Sequence, residues 1–138
     1  MSLAKKVIDK MINEDAFSQW LGIKVIEINE GKCILEMKVR DEMTNGFHIA
    51  HGGIAYSFAD SALAFAANSY GKKAMSIETS ISHTKKVESG DILKATTEEI
   101  DKNKKTAIYY ITITNQNNVE VAHFKGTVYR TDRKWFDN

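Results

Sequence analysis

A chain of 138 residues with 43% hydrophobic and 27% charged positions falls within ordinary globular limits, which sets aside disordered, collagen-like and membrane-embedded classes and leaves one domain, 1–138, as the expectation. Nineteen Lys and Arg against eighteen Asp and Glu give a net charge of +1, far short of the basic field that a phosphate backbone demands, so nucleic acid is excluded as the expected partner. The single Cys33 cannot close an intrachain disulfide, and the start MSLAKKVIDK is charged where a secretory signal is apolar, so a soluble, cytoplasmic protein is expected.

Leu3, Val7, Ile8, Met11 and Ile12 recur at helical spacing behind a capping Ser2 and predict an amphipathic helix over 2–20, with a second turn through Phe17 and Trp20. The period then changes to two. Leu21 to Ile28 reads as a strand and Asn29-Glu30-Gly31 as a turn. In the next strand Cys33, Leu35, Met37 and Val39 form one face, and Lys32, Glu36, Lys38 and Arg40 the other. A polar and glycine-containing segment, Thr44 to Gly53, leads into a helix from Ile54 to about Tyr70, which Gly71 stops. Eleven of the fourteen residues from Ile54 to Ala67 are apolar, so this helix is buried on nearly every side, and the run is too short to span a bilayer. Four further period-two runs follow: Ala74 to His83, Asp91 to Ile100, Thr106 to Asn115 and Val119 to Arg130. Lys102-Asn103-Lys104 and Asn115-Gln116-Asn117-Asn118 separate the last three, and 131–138 is left as a short polar tail. Six strands and one engulfed helix make an α+β domain whose antiparallel sheet wraps that helix.

Three features coincide between residues 45 and 60. The paired glycines Gly52 and Gly53, after His51, stand at a helix start, where free amides and the helix dipole favour negative charge, as an oxyanion site requires. Asp60 interrupts an otherwise apolar helix, where an unpartnered carboxylate costs several kcal/mol or takes up a proton; such a group is suited to act as general base or nucleophile. Asn45 offers an amide that could orient a carbonyl or a water. Each has an ordinary reading: a helix-entry loop for His51-Gly52-Gly53, a satisfied buried carboxylate for Asp60, a turn for Asn45-Gly46. Their joint occurrence points to a site.

Gly52 and Asp60 lie eight residues apart on one helix, or about 12 Å along its axis at 1.5 Å per residue. They cannot both touch one reacting carbon. If both act, a second copy must supply the missing half, with antiparallel helices bringing each Asp60 to the other's Gly52.

This run, from Asn45 through His51-Gly52-Gly53 to Asp60, resembles the hotdog-fold thioesterases of the phenylacetate-degradation (PaaI) type, and the resemblance extends from about Trp20 to Arg130. It implies a long helix wrapped by a curved antiparallel sheet. It further implies homodimers with shared active sites that pair into tetramers, and acyl-coenzyme A thioesters as substrates, with aromatic groups such as phenylacetyl among them. Coenzyme A is then part of the substrate and no cofactor is implied. By the same resemblance Asn45 and Gly52 match the family's polar and oxyanion positions, His51 precedes the oxyanion glycine, and Asp60 matches the catalytic carboxylate. Ser76 falls where many relatives place a Ser or Thr near the attacking water, although an ordinary strand serine fits the position equally well. Many relatives carry an aromatic residue and a proline after this strand. Here the segment reads His83-Thr84-Lys85-Lys86-Val87, which alters the expected shape of the substrate tunnel.

Two rival functions stay open on the same fold: a hydratase or dehydratase acting on enoyl or hydroxyacyl thioesters, with His51 sharing the proton work, and a non-catalytic module that binds acyl-CoA. The four histidines lack metal-binding spacing and no metal is expected. No nucleophile elbow, P-loop or dinucleotide fingerprint is present. Lys72-Lys73 and Lys85-Lys86 are candidates to meet the coenzyme A phosphates, and Phe47 and Phe58 to wall the acyl group. Tyr109, Tyr110, Phe124 and Tyr129 read as core or interface aromatics.

Overall fold

The computed structural model describes residues 1–137. Its elements are α1 (Leu3–Glu14), α2 (Ala16–Leu21), β1 (Lys24–Asn29), β2 (Lys32–Lys38), a short 3-10 turn (Asp41–Met43), α3 (Gly52–Asn68), β3 (Lys72–His83), β4 (Ile92–Lys102), β5 (Thr106–Thr114) and β6 (Glu120–Lys134). The expected α+β class is what forms. Six antiparallel strands make one sheet in the order β1-β2-β4-β5-β6-β3, and α3 packs against every strand from β2 to β6.

The alternation read in the sequence sets which side chains meet α3. Cys33, Leu35, Met37 and Val39 are all buried, as are Leu93 and Ala95 of β4, Tyr109, Ile111 and Ile113 of β5, and Phe124 and Val128 of β6. They form one core with Phe58, Leu63 and Phe65 of α3, and each large side chain taken out of water contributes roughly 1.5–3 kcal/mol. Leu63 of α3 packs directly onto Gly126 of β6, where an added Cβ would lie 2.5 Å from Leu63 Cδ2.

Several boundaries differ from expectation, and α3 begins at Gly52 rather than Ile54. The segment 2–20 is two helices, because Asp15 both ends α1, its N–H donating to Ile12 O, and caps α2, its carboxylate accepting the Ser18 N–H at 2.9 Å. The expected Ser2 cap does form, accepting the Lys5 N–H at 3.1 Å. Because α2 runs on to a left-handed Gly22 (φ 76°), Leu21, expected to open a strand, is a buried helix residue. At the other end the expected polar tail 131–138 is strand as far as Lys134, which pairs with Lys72. Trp135 and Phe136 then pack on the core, and Asn138 lies outside the described residues. No helix among the described residues is long and apolar enough to cross a membrane.

Two surfaces are left without a partner in the single chain. The twelve-residue β3 is an edge of the sheet and bares Met75 and Ile77, 62% and 61% exposed. On α3, the expected near-complete burial fails along one stripe, Tyr56, Ser57, Asp60, Ser61 and Ala64, none of which is fully buried. Asp60 sits in the middle of that stripe.

Candidate active site

The loop before α3 is shaped by its own polar groups. Asn45 Oδ1 accepts the Phe47 N–H at 2.9 Å and the Ile49 N–H at 3.4 Å, and the Asn45 N–H donates to Ile49 O at 2.8 Å. His51 caps α3, its Nδ1 accepting the Gly53 N–H at 2.9 Å while its carbonyl accepts from Ile54. The Gly52 N–H has no acceptor among the described residues. It stands exposed at the positive end of a seventeen-residue helix whose first turn carries no acidic side chain. An unpaired amide in that position is preorganised to stabilise negative charge on an oxygen brought to it.

Asn45, His51 and Gly52 line one recess of about 170 Å³ together with Ile49, His83 and Lys85. In the sequence His83 stands out only as one of four histidines set aside as metal ligands and as the start of the segment after this strand, not as a site residue. Its Nε2 lies 3.4 Å from where a Cβ on Gly52 would stand. The signal for it is topological: Gly71 reverses the chain, so β3 runs back beside α3 and its last residue returns to the start of the helix. Lys86 lines the same recess with Lys85, although its ammonium lies 3.4 Å from the Glu88 carboxylate.

Asp60 is half-buried, two turns further along. Among the described residues it has neither a hydrogen-bond partner nor an ion pair. Desolvation raises its carboxyl above the ordinary 3.8, and the negative charge of Asp15 adds to the effect. Asp60 and Ser76 line a cavity of about 370 Å³ whose other walls include Met11, Leu63, Ala64 and Trp135. Ser76 pairs with Val128 just before a bulge in β3, and its hydroxyl is unpartnered among the described residues. On its other side Asp60 borders a smaller hollow of about 200 Å³, made more polar by Asp15, Ser18, Ser57 and Ser61.

The five candidate residues thus fall into two sets within one chain: Asn45, His51 and Gly52 at the start of α3, and Asp60 with Ser76 near its middle. Eight residues of helix, about 12 Å, keep the carboxylate from the free amide. Of the proposed acyl-wall aromatics, Phe58 is buried in the core and Phe47 is 84% exposed, so neither lines the Asp60 cavity. Tyr109 and Phe124 are core residues as read, whereas Tyr110 and Tyr129 stand partly in solvent. Lys72 sits 3.8 Å from Asp132, and Lys73 lies over the Trp135 ring. A larger hollow of about 460 Å³ on strands β3 to β6 contains no residue of α3 and none of the five. Among the described residues no three His, Cys, Asp or Glu side chains converge as a metal site.

Residues 47–122 match the family model of the thioesterase superfamily. A protein of Archaeoglobus fulgidus described as a candidate esterase is 38% identical over 130 residues, covering 94% of this chain and 84% of that one. The acyl-coenzyme A thioesterase PaaI of Escherichia coli is 38% identical over 120 residues, covering 87% of this chain and 86% of its own. The solved structure of PaaI, from the phenylacetic acid degradation operon, superposes with a TM-score of 0.93 over 96% of both chains at 35% identity. A Streptococcus mutans protein solved with acetyl CoA bound superposes with a TM-score of 0.78 at 26% identity, over 81% of this chain and 90% of that one.

Proposed function

This chain belongs to the thioesterase superfamily, in its PaaI-like hotdog branch, and from that premise we propose that it hydrolyses acyl-coenzyme A thioesters to free acid and thiol at centres shared between two copies. The observation that carries the shared centre is the separation on α3. An unpaired, desolvated carboxylate at Asp60 and an unpaired amide at Gly52 are the two halves a thioester needs, and they are two helical turns apart. Antiparallel pairing of α3 with its copy joins each Asp60 to the partner's Gly52.

In this reading the thioester carbonyl oxygen accepts the Gly52 N–H. As the carbonyl carbon becomes tetrahedral, the growing negative charge on that oxygen is held by the amide and the helix dipole. The Asn45 side chain spends its oxygen on the loop, which leaves its NH₂ free to donate to the same carbonyl or to the water. The Asp60 carboxylate delivers the oxygen nucleophile, either by taking a proton from water or by attacking the carbon itself with water then cleaving the anhydride. Both routes expel the coenzyme A thiolate and need Asp60 ionised. Ser76 lines the same cavity as Asp60, and the family resemblance gives it the part of holding the water. His51 keeps the Gly53 amide occupied and the glycine turn in shape.

Two surfaces support the dimer. The β3 edge, with Met75 and Ile77 bare, is a template for pairing with a second β3. The open stripe of α3 is made mostly of short side chains, which lets a facing helix come close. The acetyl CoA bound by the S. mutans relative supports coenzyme A thioesters as ligands. Lys85 and Lys86, on the recess that holds Gly52, are then the lysines best placed for the phosphates. Pairing of dimers into a tetramer rests on the family resemblance, and a cytoplasmic setting on the sequence.

Thiol release measured across aromatic, short and medium acyl-CoAs tests the proposal. Wild type should turn over, and Asp60→Ala and Asp60→Asn should not, with fold and oligomer unchanged. Retained turnover in either variant rejects the assignment of Asp60. Loss of the crotonyl-CoA ultraviolet absorbance without thiol release would make the protein a hydratase, and saturable binding with no release would make it a binding module.

A further inference from the structure

The cavity beside Asp60 is also lined by a residue that neither motif nor resemblance marks. Asp60 and Asn68 lie eight residues apart on α3, so the cavity follows two helical turns, about 12 Å, from the carboxylate to the end of the helix. Met11, Leu63, Ala64, Met75 and Val128 form its apolar sides, and Trp135 stands beside Asn68, with Lys73 also on the lining. The hollow on the other side of Asp60, with Asp15, Ser18, Ser57 and Ser61, is the more polar of the two. An apolar acyl chain whose carbonyl sits at Asp60 therefore runs towards Trp135 rather than towards those hydroxyls.

Trp135 is held in place by a side chain that is itself fully hydrogen-bonded. Asn68 is buried, and its Oδ1 accepts the Trp135 indole N–H at 2.9 Å and the Ala74 N–H at 2.8 Å. Its NH₂ donates to Ala64 O at 2.8 Å and Ala74 O at 3.0 Å. One amide thus ties the indole to both α3 and β3. The Trp135 backbone N–H donates to Gly71 O at 2.9 Å, and the Lys73 ammonium lies 4.9 Å from the centre of the ring. An indole held by its N–H and covered by a cation, on a backbone tied to Gly71, resists swinging aside for a longer ligand.

We propose that Trp135, clamped by Asn68, is the end wall of the acyl cavity and sets the longest acyl chain that the protein accepts. The proposal rests on the thioesterase reading above. Its test is kcat/KM across straight-chain acyl-CoAs from acetyl to palmitoyl, for wild type, Trp135→Phe and Trp135→Ala. Each methylene accommodated or refused in an apolar pocket is worth about tenfold or more in discrimination. Trp135→Ala is therefore expected to raise the ratio of long-chain to short-chain kcat/KM by about tenfold or more, and Trp135→Phe to move it less in the same direction. A length profile unchanged in either folded variant, or a parallel loss at every chain length, overturns the proposal and leaves the thioesterase reading standing. Should Trp135→Ala fail to fold, the smaller shift in Trp135→Phe decides alone. Wild type that releases thiol from no acyl-CoA removes both readings.

Discussion

Gly52→Pro, paired with Asp60→Asn, tests the shared centre without disturbing the fold. Gly52 is the first residue of α3 and its φ is not positive. Proline is favoured at a first helical position, since the amide it lacks has no partner in the helix. The preceding His51 already holds φ −58° and ψ 138°, the extended backbone a residue before proline adopts. The nearest atom to a Cβ at position 52 is His83 Nε2 at 3.4 Å, an ordinary contact. The substitution therefore leaves the helix start intact, deletes the proposed oxyanion donor and sets ring carbons in front of it. Loss of one such donor costs about 10²–10³ in kcat. Asp60→Asn removes the other half, so each variant alone is expected to be nearly inactive. When the two are co-expressed, random assortment makes about half of the dimers mixed. In a mixed dimer one centre has lost both groups, while the other combines an intact Gly52 with an intact Asp60, so about a quarter of wild-type turnover should return. The assay is thiol release on the co-expressed protein, with native mass spectrometry to count mixed dimers. Mixed dimers that remain as inactive as their parents would refute the reasoning, as would a strictly monomeric, fully active wild type.

Burial holds the Asp60 carboxyl above its ordinary 3.8, so the folded state binds that proton more readily than the unfolded chain, and the stability it contributes is lost as pH rises through the raised value. Asp60→Asn should accordingly raise Tm at pH 7, with the gain fading as pH falls below the ordinary carboxylate value; a wild-type Tm at pH 7 equal to or above the variant's contradicts this. Asn45→Asp keeps an oxygen that accepts from Phe47 and Ile49 but replaces the NH₂ donor with a second, negatively charged carboxylate oxygen, so kcat should fall about a hundredfold or more with Tm little changed. Unaltered kcat would leave Asn45 as a loop residue. Gly126→Ala places a methyl 2.5 Å from Leu63 Cδ2 and should cost about 1–3 kcal/mol, read as a lower urea midpoint at constant slope.

What was legible in the sequence was what local periodicity encodes. Cys33, Leu35, Met37 and Val39 alternate with charged residues, and all four are buried; the apolar run after Gly53 is the helix the sheet enfolds. The breaks were harder to read. Asp15 divides the N-terminal helix because its side chain caps a second one, and a single Asp in a polar stretch does not announce that in advance. Strand order was beyond local reading as well, since β3 skips the strands that follow it in sequence and pairs with β6. The candidate residues were found because chemistry needs an odd residue in an odd place: a carboxylate in an apolar helix, glycines at a helix start. His83 and Trp135 carried no such mark. Each gained its position from a chain reversal that brings a distant residue to α3, His83 beside Gly52 and Trp135 beside Asn68.

The eight-residue offset that keeps Gly52 from Asp60 also fixes where a twofold axis would pass. If two antiparallel copies of α3 align residue 52 of one with residue 60 of the other, their midpoint falls at residue 56, because an isologous contact between i and j implies the same contact between j and i. Tyr56 occupies that midpoint on the open stripe, and its hydroxyl is hydrogen-bonded to Thr79 of β3 while its ring meets Phe124 edge-on at 5.5 Å. The residue nearest the axis is thus tied to the edge strand that the same axis would pair with its copy. Helix pairing and strand pairing then make the same demand on the interface. One set of contacts would then both close the sheet edge and bring each Asp60 across from the partner's Gly52, with the reacting thioester between them.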